Sequence, residues 1–156
     1  MGASLAYRAV LVGLRIYLGI IFLVAVTPKL TARPDFTPRL MGFLENVALT
    51  QGHAFYQAFV EGTVIPHAAG FATLVVAAEL VAGLLLLLGA ATRLAALISI
   101  VLLLNYMFAK GMWPWTPASN DGAFIMIALA VLLARAGRTL GVDASLARRW
   151  PRVPFW

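Results

Sequence analysis

Polar residues are scarce along this chain and interrupt it at long intervals. Four apolar runs lie between them, at about 9–27, 66–89, 94–112 and 119–135. A helix needs roughly 17–25 residues to cross the hydrocarbon of a bilayer, and each run reaches that length once its polar ends are counted. In hydrocarbon a helix pairs its backbone groups internally, whereas an isolated strand leaves them bare. The runs also lack the two-residue alternation of a barrel strand. The pattern predicts an all-α chain, an integral membrane four-helix bundle in a single domain over 1–156.

The punctuation agrees with those limits. Pro66 suits a first helical turn, where its missing N–H costs nothing. Ser119, Asn120 and Asp121 offer N-cap oxygens to the fourth helix. Gly89 closes the second helix and Gly137 follows the fourth. The connection 28–65 has its own pattern. Leu40, Phe43, Leu44 and Val47 recur at helical spacing, with Thr37 placed to cap and Pro38 at the first position. Phe55, Ala58, Phe59 and Gly62 form a second short stripe. One or two short amphipathic helices are expected here, capping the bundle or lying on the outer membrane surface.

Composition sharpens the class. The chain is 62% hydrophobic and 12% charged, with a mean hydropathy of +0.92. That is more apolar surface than a water-facing fold of this size can bury. The absence of cysteine excludes disulfides, iron–sulfur clusters, thiolate zinc sites and a CxxC relay. The two histidines, His53 and His67, share one connection and show no metal-ligand spacing, so no metal is expected.

The net charge of +6 gathers at the helix ends. Arg8, Arg15, Arg93, Arg135, Arg138, Arg148, Arg149 and Arg152 fall on one side, against Lys29, Arg33, Arg39 and Lys110 on the other. The positive-inside rule then puts both termini in the cytoplasm of a multi-pass inner (plasma) membrane protein. The first segment reads as a retained helix, with no small-residue cleavage site closing it. Trp113 and Trp115 mark the outer interface, Trp150 and Trp156 the inner one. The basic cytoplasmic tail, 136–156, suits anionic headgroups. No nucleic-acid partner is implied, because the basic residues flank lipid-length runs. The lipid bilayer is the first partner.

Two charges fall inside the runs, Arg15 and Glu79. Each costs at least ~2.5–3.5 kcal/mol at mid-bilayer, so they are expected to face inward as an ion pair. The pair is either a structural tether or a site for a proton or a quinone headgroup. A second group, Lys29, Asn105, Lys110, Asn120 and Asp121, is expected at the outer face. It forms either one hydrogen-bonded pocket or simple interfacial capping with snorkelling lysines. Gly13, Gly19 and Gly83 are among the small residues that let helices approach closely.

Arg15-Ile-Tyr-Leu-Gly-Ile-Ile-Phe-Leu, followed by Lys29-Leu, resembles the opening helix of the DoxX/DoxD-like membrane proteins. The block Glu79-Leu-Val-Ala-Gly-Leu-Leu-Leu-Leu-Leu-Gly-Ala-Ala-Thr-Arg93 is similar to that family's second helix and turn. Asn120-Asp121 matches a recurrent polar position. The long outer connection and Arg-rich tail resemble the branch named for the thiosulfate:quinone oxidoreductase small subunit.

The resemblance implies a four-helix membrane subunit of a redox complex, interacting with quinone and with other membrane or membrane-associated redox proteins. It transfers no established catalytic residue. The alternative is a non-catalytic scaffold or assembly factor for a complex handling oxidative or thiol stress. With no flavin, haem or metal motif in the sequence, no intrinsic cofactor is expected beyond quinone, and any enzymatic role is that of a subunit. A small transporter is the weakest reading, since no inverted repeat with broken helices is visible.

Overall fold

The computed structural model describes residues 5–32 and 35–155. Arg33 and Trp156, assigned above to the two membrane interfaces, lie outside the described residues. Among those described, helix dominates and no strand occurs.

The apolar runs fold as helices because no water is at hand to pair their backbone. Helix α1 covers Leu5–Leu30 and continues through Pro28, so it is longer at both ends than 9–27. The outer connection holds α2, Thr37–Phe43, extended by a π-helical turn over Leu44–Ala48. It also holds α3, Ala54–Phe59, extended by a second π turn over Val60–Val64. A 3-10 turn, Ile65–His67, carries Pro66 and leads into α4, Ala68–Leu88. Then come α5, Thr92–Ala109, and α6, Asp121–Leu133. The short α7, Asp143–Arg149, lies in the basic tail.

Three helical stretches are long and apolar enough to cross a membrane: Leu5–Leu30, Ala54–Leu88 and Thr92–Ala109. The fourth run is shorter than 119–135. Helix α6 has 13 residues, about 20 Å of rise. It stops before Arg135, whose φ of 50° leaves the helical region.

Helices α1 and α4 run antiparallel and pack closely, as do α4 with α5, α5 with α6, and α6 with α1. The α1–α4 contact depends on Gly19 and Gly83. A Cβ on Gly19 would lie 3.0 Å from the Gly83 carbonyl oxygen and 3.0 Å from Leu87 N. Gly13 has open space around its missing Cβ, so only part of the small-residue pattern serves packing. Gly89, at φ 65°, closes α4 in the left-handed conformation expected for a C′ glycine. The shared core includes Leu18, Phe22, Leu86, Met107 and Val131.

Helices α2 and α3 cap the far end of this packing. Leu40, Leu44, Ala48, Val60 and Val64 form a second core with Ala72 of α4 and Ala109 of α5. The first stripe points inward at Leu40 and Leu44. The second is displaced from its expected position: Phe55, Ala58, Phe59 and Gly62 are exposed, and Val60 and Val64 are buried instead. Val60 and Val64, four residues apart on one helical face, are the side chains that pack into the second core. Thr37 does not cap α2; Asp35 Oδ1 accepts the Thr37 N–H at 2.7 Å. At α6 the Asn120 side chain makes no cap bond, and Ser119 Oγ accepts the Asp121 N–H at 3.2 Å.

Candidate functional site

The structure separates the two intramembrane charges. Arg15 and Lys29 are fourteen positions apart on α1, about 21 Å of helix, and Glu79 is bonded by Lys29 reaching inward from that far end. The expected Arg15–Glu79 ion pair is therefore corrected: each residue has other partners at opposite ends of the helical packing.

At the tail end Arg15 is 1% exposed. Its Nη1 donates to the carbonyls of Ala136 (3.2 Å) and Thr139 (3.3 Å), and its Nη2 donates to Leu140 (3.1 Å). The residues after α6 turn back over α1 and aim their free carbonyls at the guanidinium, which suits five N–H donors in a fixed fork. Asp143, also 1% exposed, accepts the Thr92 N–H at the start of α5 through Oδ2, at 2.9 Å. Together Arg15 and Asp143 stitch the tail onto α1 and α5. Sequence reading missed Asp143, although it is the lone acid in the basic tail.

In the middle of α4 Glu79 is 1% exposed, and its partners reach it from the loop end. Its Oε1 accepts from Lys29 Nζ in an ion pair and from the Tyr106 hydroxyl at 2.6 Å. Its Oε2 is buried and without a hydrogen-bond partner. Lys29 reaches inward from the end of α1, leaving its side chain 18% exposed. The ammonium also lies 5.5 Å from the ring centroids of Tyr106 and Phe36, within reach of a cation–π attraction. A charge buried at this depth requires such partners, and α1 and α5 supply them.

The expected outer cluster keeps one pair and loses the other three residues. Lys110 and Asp121 form an ion pair, and Asp121 Oδ2 also accepts from Ser119 Oγ at 3.1 Å. Asn105 belongs elsewhere. It accepts from the Tyr56 hydroxyl at 3.2 Å and donates to the Val101 carbonyl at 2.7 Å. Lys29 leaves the outer group for Glu79. Asn120 contributes its backbone carbonyl to Phe124 N at 3.0 Å. The Asn105–Lys110–Asp121 pocket is corrected accordingly. Asn105 and Lys110 are five residues apart, about 140° around a helix with 3.6 residues per turn, so their side chains diverge. Tyr56 and Tyr106 gain roles that their hydrophobic surroundings hid in the sequence.

His53, in the outer connection, is partly buried. Its Nε2 pairs with the Met112 carbonyl at 3.0 Å, and its ring lies 4.4 Å from that of Trp113. Phe55 and Phe108 join this aromatic patch at the loop end.

Between α4, α5 and the capping helices lies a cavity of about 970 Å³. This is at the upper end of small-molecule sites, which run to roughly 1,000 Å³. Its walls are almost wholly apolar, with side chains such as Phe43, Phe71, Val75, Ala78, Ile98 and Leu102. The polar groups facing it, Lys29, Arg39, Tyr56, Asn105 and Tyr106, come from the loop-end half of the helices. Glu79 lies directly behind the wall through its bonds to Lys29 and Tyr106. Hydrogen-bonding groups concentrated at one end of a large apolar space can bind an amphiphile. Arg15 takes no part in this lining.

A family model described as DoxX matches residues 10–111, from early α1 to just beyond α5. No curated protein and no solved structure matches the chain.

Proposed function

The chain belongs to the DoxX family of membrane proteins, and we propose that it is a four-helix membrane subunit that binds a quinone in the cavity between α4, α5 and the capping helices. The observation that carries this reading is the cavity itself, about 970 Å³ of apolar space with its polar groups at one end. A quinone head is flat, neutral and hydrogen-bond accepting. Tyr106 and Asn105 project from adjacent positions of α5, Tyr56 joins Asn105, and Lys29 is held beside Tyr106 by Glu79. Both tyrosine protons are already given, to Asn105 and Glu79, so the second N–H of Asn105 and the remaining N–H groups of Lys29 are the donors left for carbonyl oxygens, and the apolar walls fit a ring and tail. A bound quinone would supply the two-electron, two-proton chemistry. Lys29 and Asn105 would orient its head, and Glu79 with Tyr106 would hold Lys29 in place.

The chain has no cysteine, so electrons are expected from a redox protein bound to it in the membrane or at its surface. We place both termini in the cytoplasm of the inner (plasma) membrane. The end carrying Arg8, Arg93, Arg135, Arg138, Arg148, Arg149 and Arg152 outnumbers the end carrying Lys29, Arg39 and Lys110 in basic residues.

The test is photo-crosslinking of an azido-benzoquinone to the purified chain in nanodiscs, with the labelled peptides mapped. Labels are expected on Tyr56 and on the α5 segment around Asn105. Asn105→Leu should weaken binding about tenfold, the worth of one well-placed hydrogen bond. No saturable labelling, or labels confined to other surfaces, would refute the quinone reading and favour the scaffold.

A further inference from the structure

We infer that the quinone's tail leaves the cavity sideways, through a slot between α4 and α5 that opens to the acyl chains, so that this site selects long-tailed, membrane-resident quinones. The inference rests on the quinone reading and deepens it.

The first observation is where the cavity wall is exposed. Leu74 and Val81 of α4, and Leu97 and Val101 of α5, line the cavity yet remain open to the outside; Leu74 is 61% and Val101 58% exposed. These four side chains are therefore the lips of an opening, at the depth of the apolar helix surface. Leu97 and Asn105 are eight residues apart, so the slot extends about 12 Å along α5 from the polar end.

The second observation closes the other route. At the loop end Leu40, Leu44, Val60 and Val64 are buried against Ala72 and Ala109, which shuts the space above the slot. At the tail end α4 and α5 are joined by the tight turn through Gly89 and Ala91. A ligand with a bulky apolar tail then has the side as its route.

The third observation concerns charge. Lys29 is neutralised by Glu79, and the exposed Arg39 donates to the Pro28 carbonyl at 2.9 Å. A phosphate head calls for several uncompensated cations at close range; of the two cations lining this cavity Lys29 is paired with Glu79, and the exposed Arg39 keeps its charge at the rim. A neutral carbonyl head suits it, and an apolar tail suits the lips.

The experiment compares decyl-benzoquinone with tail-less tetramethylbenzoquinone, bound to the full chain in nanodiscs. Leu97→Trp with Val101→Trp fills the lips while leaving Tyr56, Asn105 and Tyr106 intact. The expected result is a loss of at least about tenfold in affinity for the decyl compound, in the range that shape mismatch in an apolar pocket produces, with tetramethylbenzoquinone binding unchanged. Detergent melting of the tryptophan variant at the wild-type temperature shows that the fold survives change at these positions. Equal decyl binding in the tryptophan variant overturns the lateral route and leaves the quinone reading standing. Equal loss of both ligands also overturns it, because the slot would then not read the tail. If wild-type chain binds neither compound, the quinone reading fails, and the inference with it.

Discussion

Loss of Lys29 should damage this protein more than loss of Glu79, although the two form one ion pair. The asymmetry follows from depth. Glu79 is 1% exposed in the middle of α4, whereas the Lys29 side chain is 18% exposed at the end of α1. Lys29→Met strands a carboxyl group whose Oε2 already lacks a partner. Its remaining bond comes from Tyr106, at 2.6 Å. Stranding one member of a buried pair costs about 3–5 kcal/mol. Glu79→Gln instead frees an ammonium that can swing out to the interface, and the amide oxygen can still accept from Tyr106. That loss is nearer the 1.5–3 kcal/mol of one charged hydrogen bond. The gap between the variants should thus be about 1–2 kcal/mol, and Lys29→Met with Glu79→Gln together should be milder than Lys29→Met alone. The measurement is reversible unfolding in mixed micelles, with all variants at one pH and ionic strength. Equal losses, or a larger loss for Glu79→Gln, would refute the reasoning. Adding Arg15→Gln to Glu79→Gln provides a check on geometry. Sites more than about 10 Å apart without shared partners are additive to within roughly 0.5 kcal/mol, so a strong coupling would restore the ion pair that the structure rejects.

Three further outcomes are expected. Arg15→Lys should release the tail, since an ammonium cannot replace a planar fork reaching three carbonyls; limited proteolysis should cut residues 136–155 faster than in wild type, and an unchanged pattern would contradict the stitch. Gly19→Leu should prevent stable α1–α4 packing, because its Cβ already meets α4 backbone at 3.0 Å, while Gly13→Ala should be nearly neutral; expression and detergent melting read both. The Lys110–Asp121 pair is more exposed, at 32% and 12%, so a double-mutant cycle should give about 0.2–1 kcal/mol, falling as salt is added.

Burial in lipid could be read directly from the chain. Glu79 and Arg15 stood out because an ionised side chain inside a long apolar run is costly whatever its neighbours, and the structure buries both. The turn at Gly89 and a helix through Leu40–Leu44 were likewise visible, since left-handed backbone and helical spacing are local properties, but whether that helix caps the bundle or lies on the membrane was not. Which charge meets which was not local. Arg15 faces the carbonyls of residues 136–140, and Glu79 faces Lys29 and Tyr106, because antiparallel packing through Gly19 and Gly83 fixes the axial offset of α1 against α4. Nothing in either helix alone encodes that offset. The second outer stripe failed for a related reason: which face of α3 and its extension meets Ala72 and Ala109 is a tertiary matter, and it is the Val60–Val64 face. The cavity is also tertiary, as an apolar wall and an apolar core look alike in sequence until the helices either meet or stand apart.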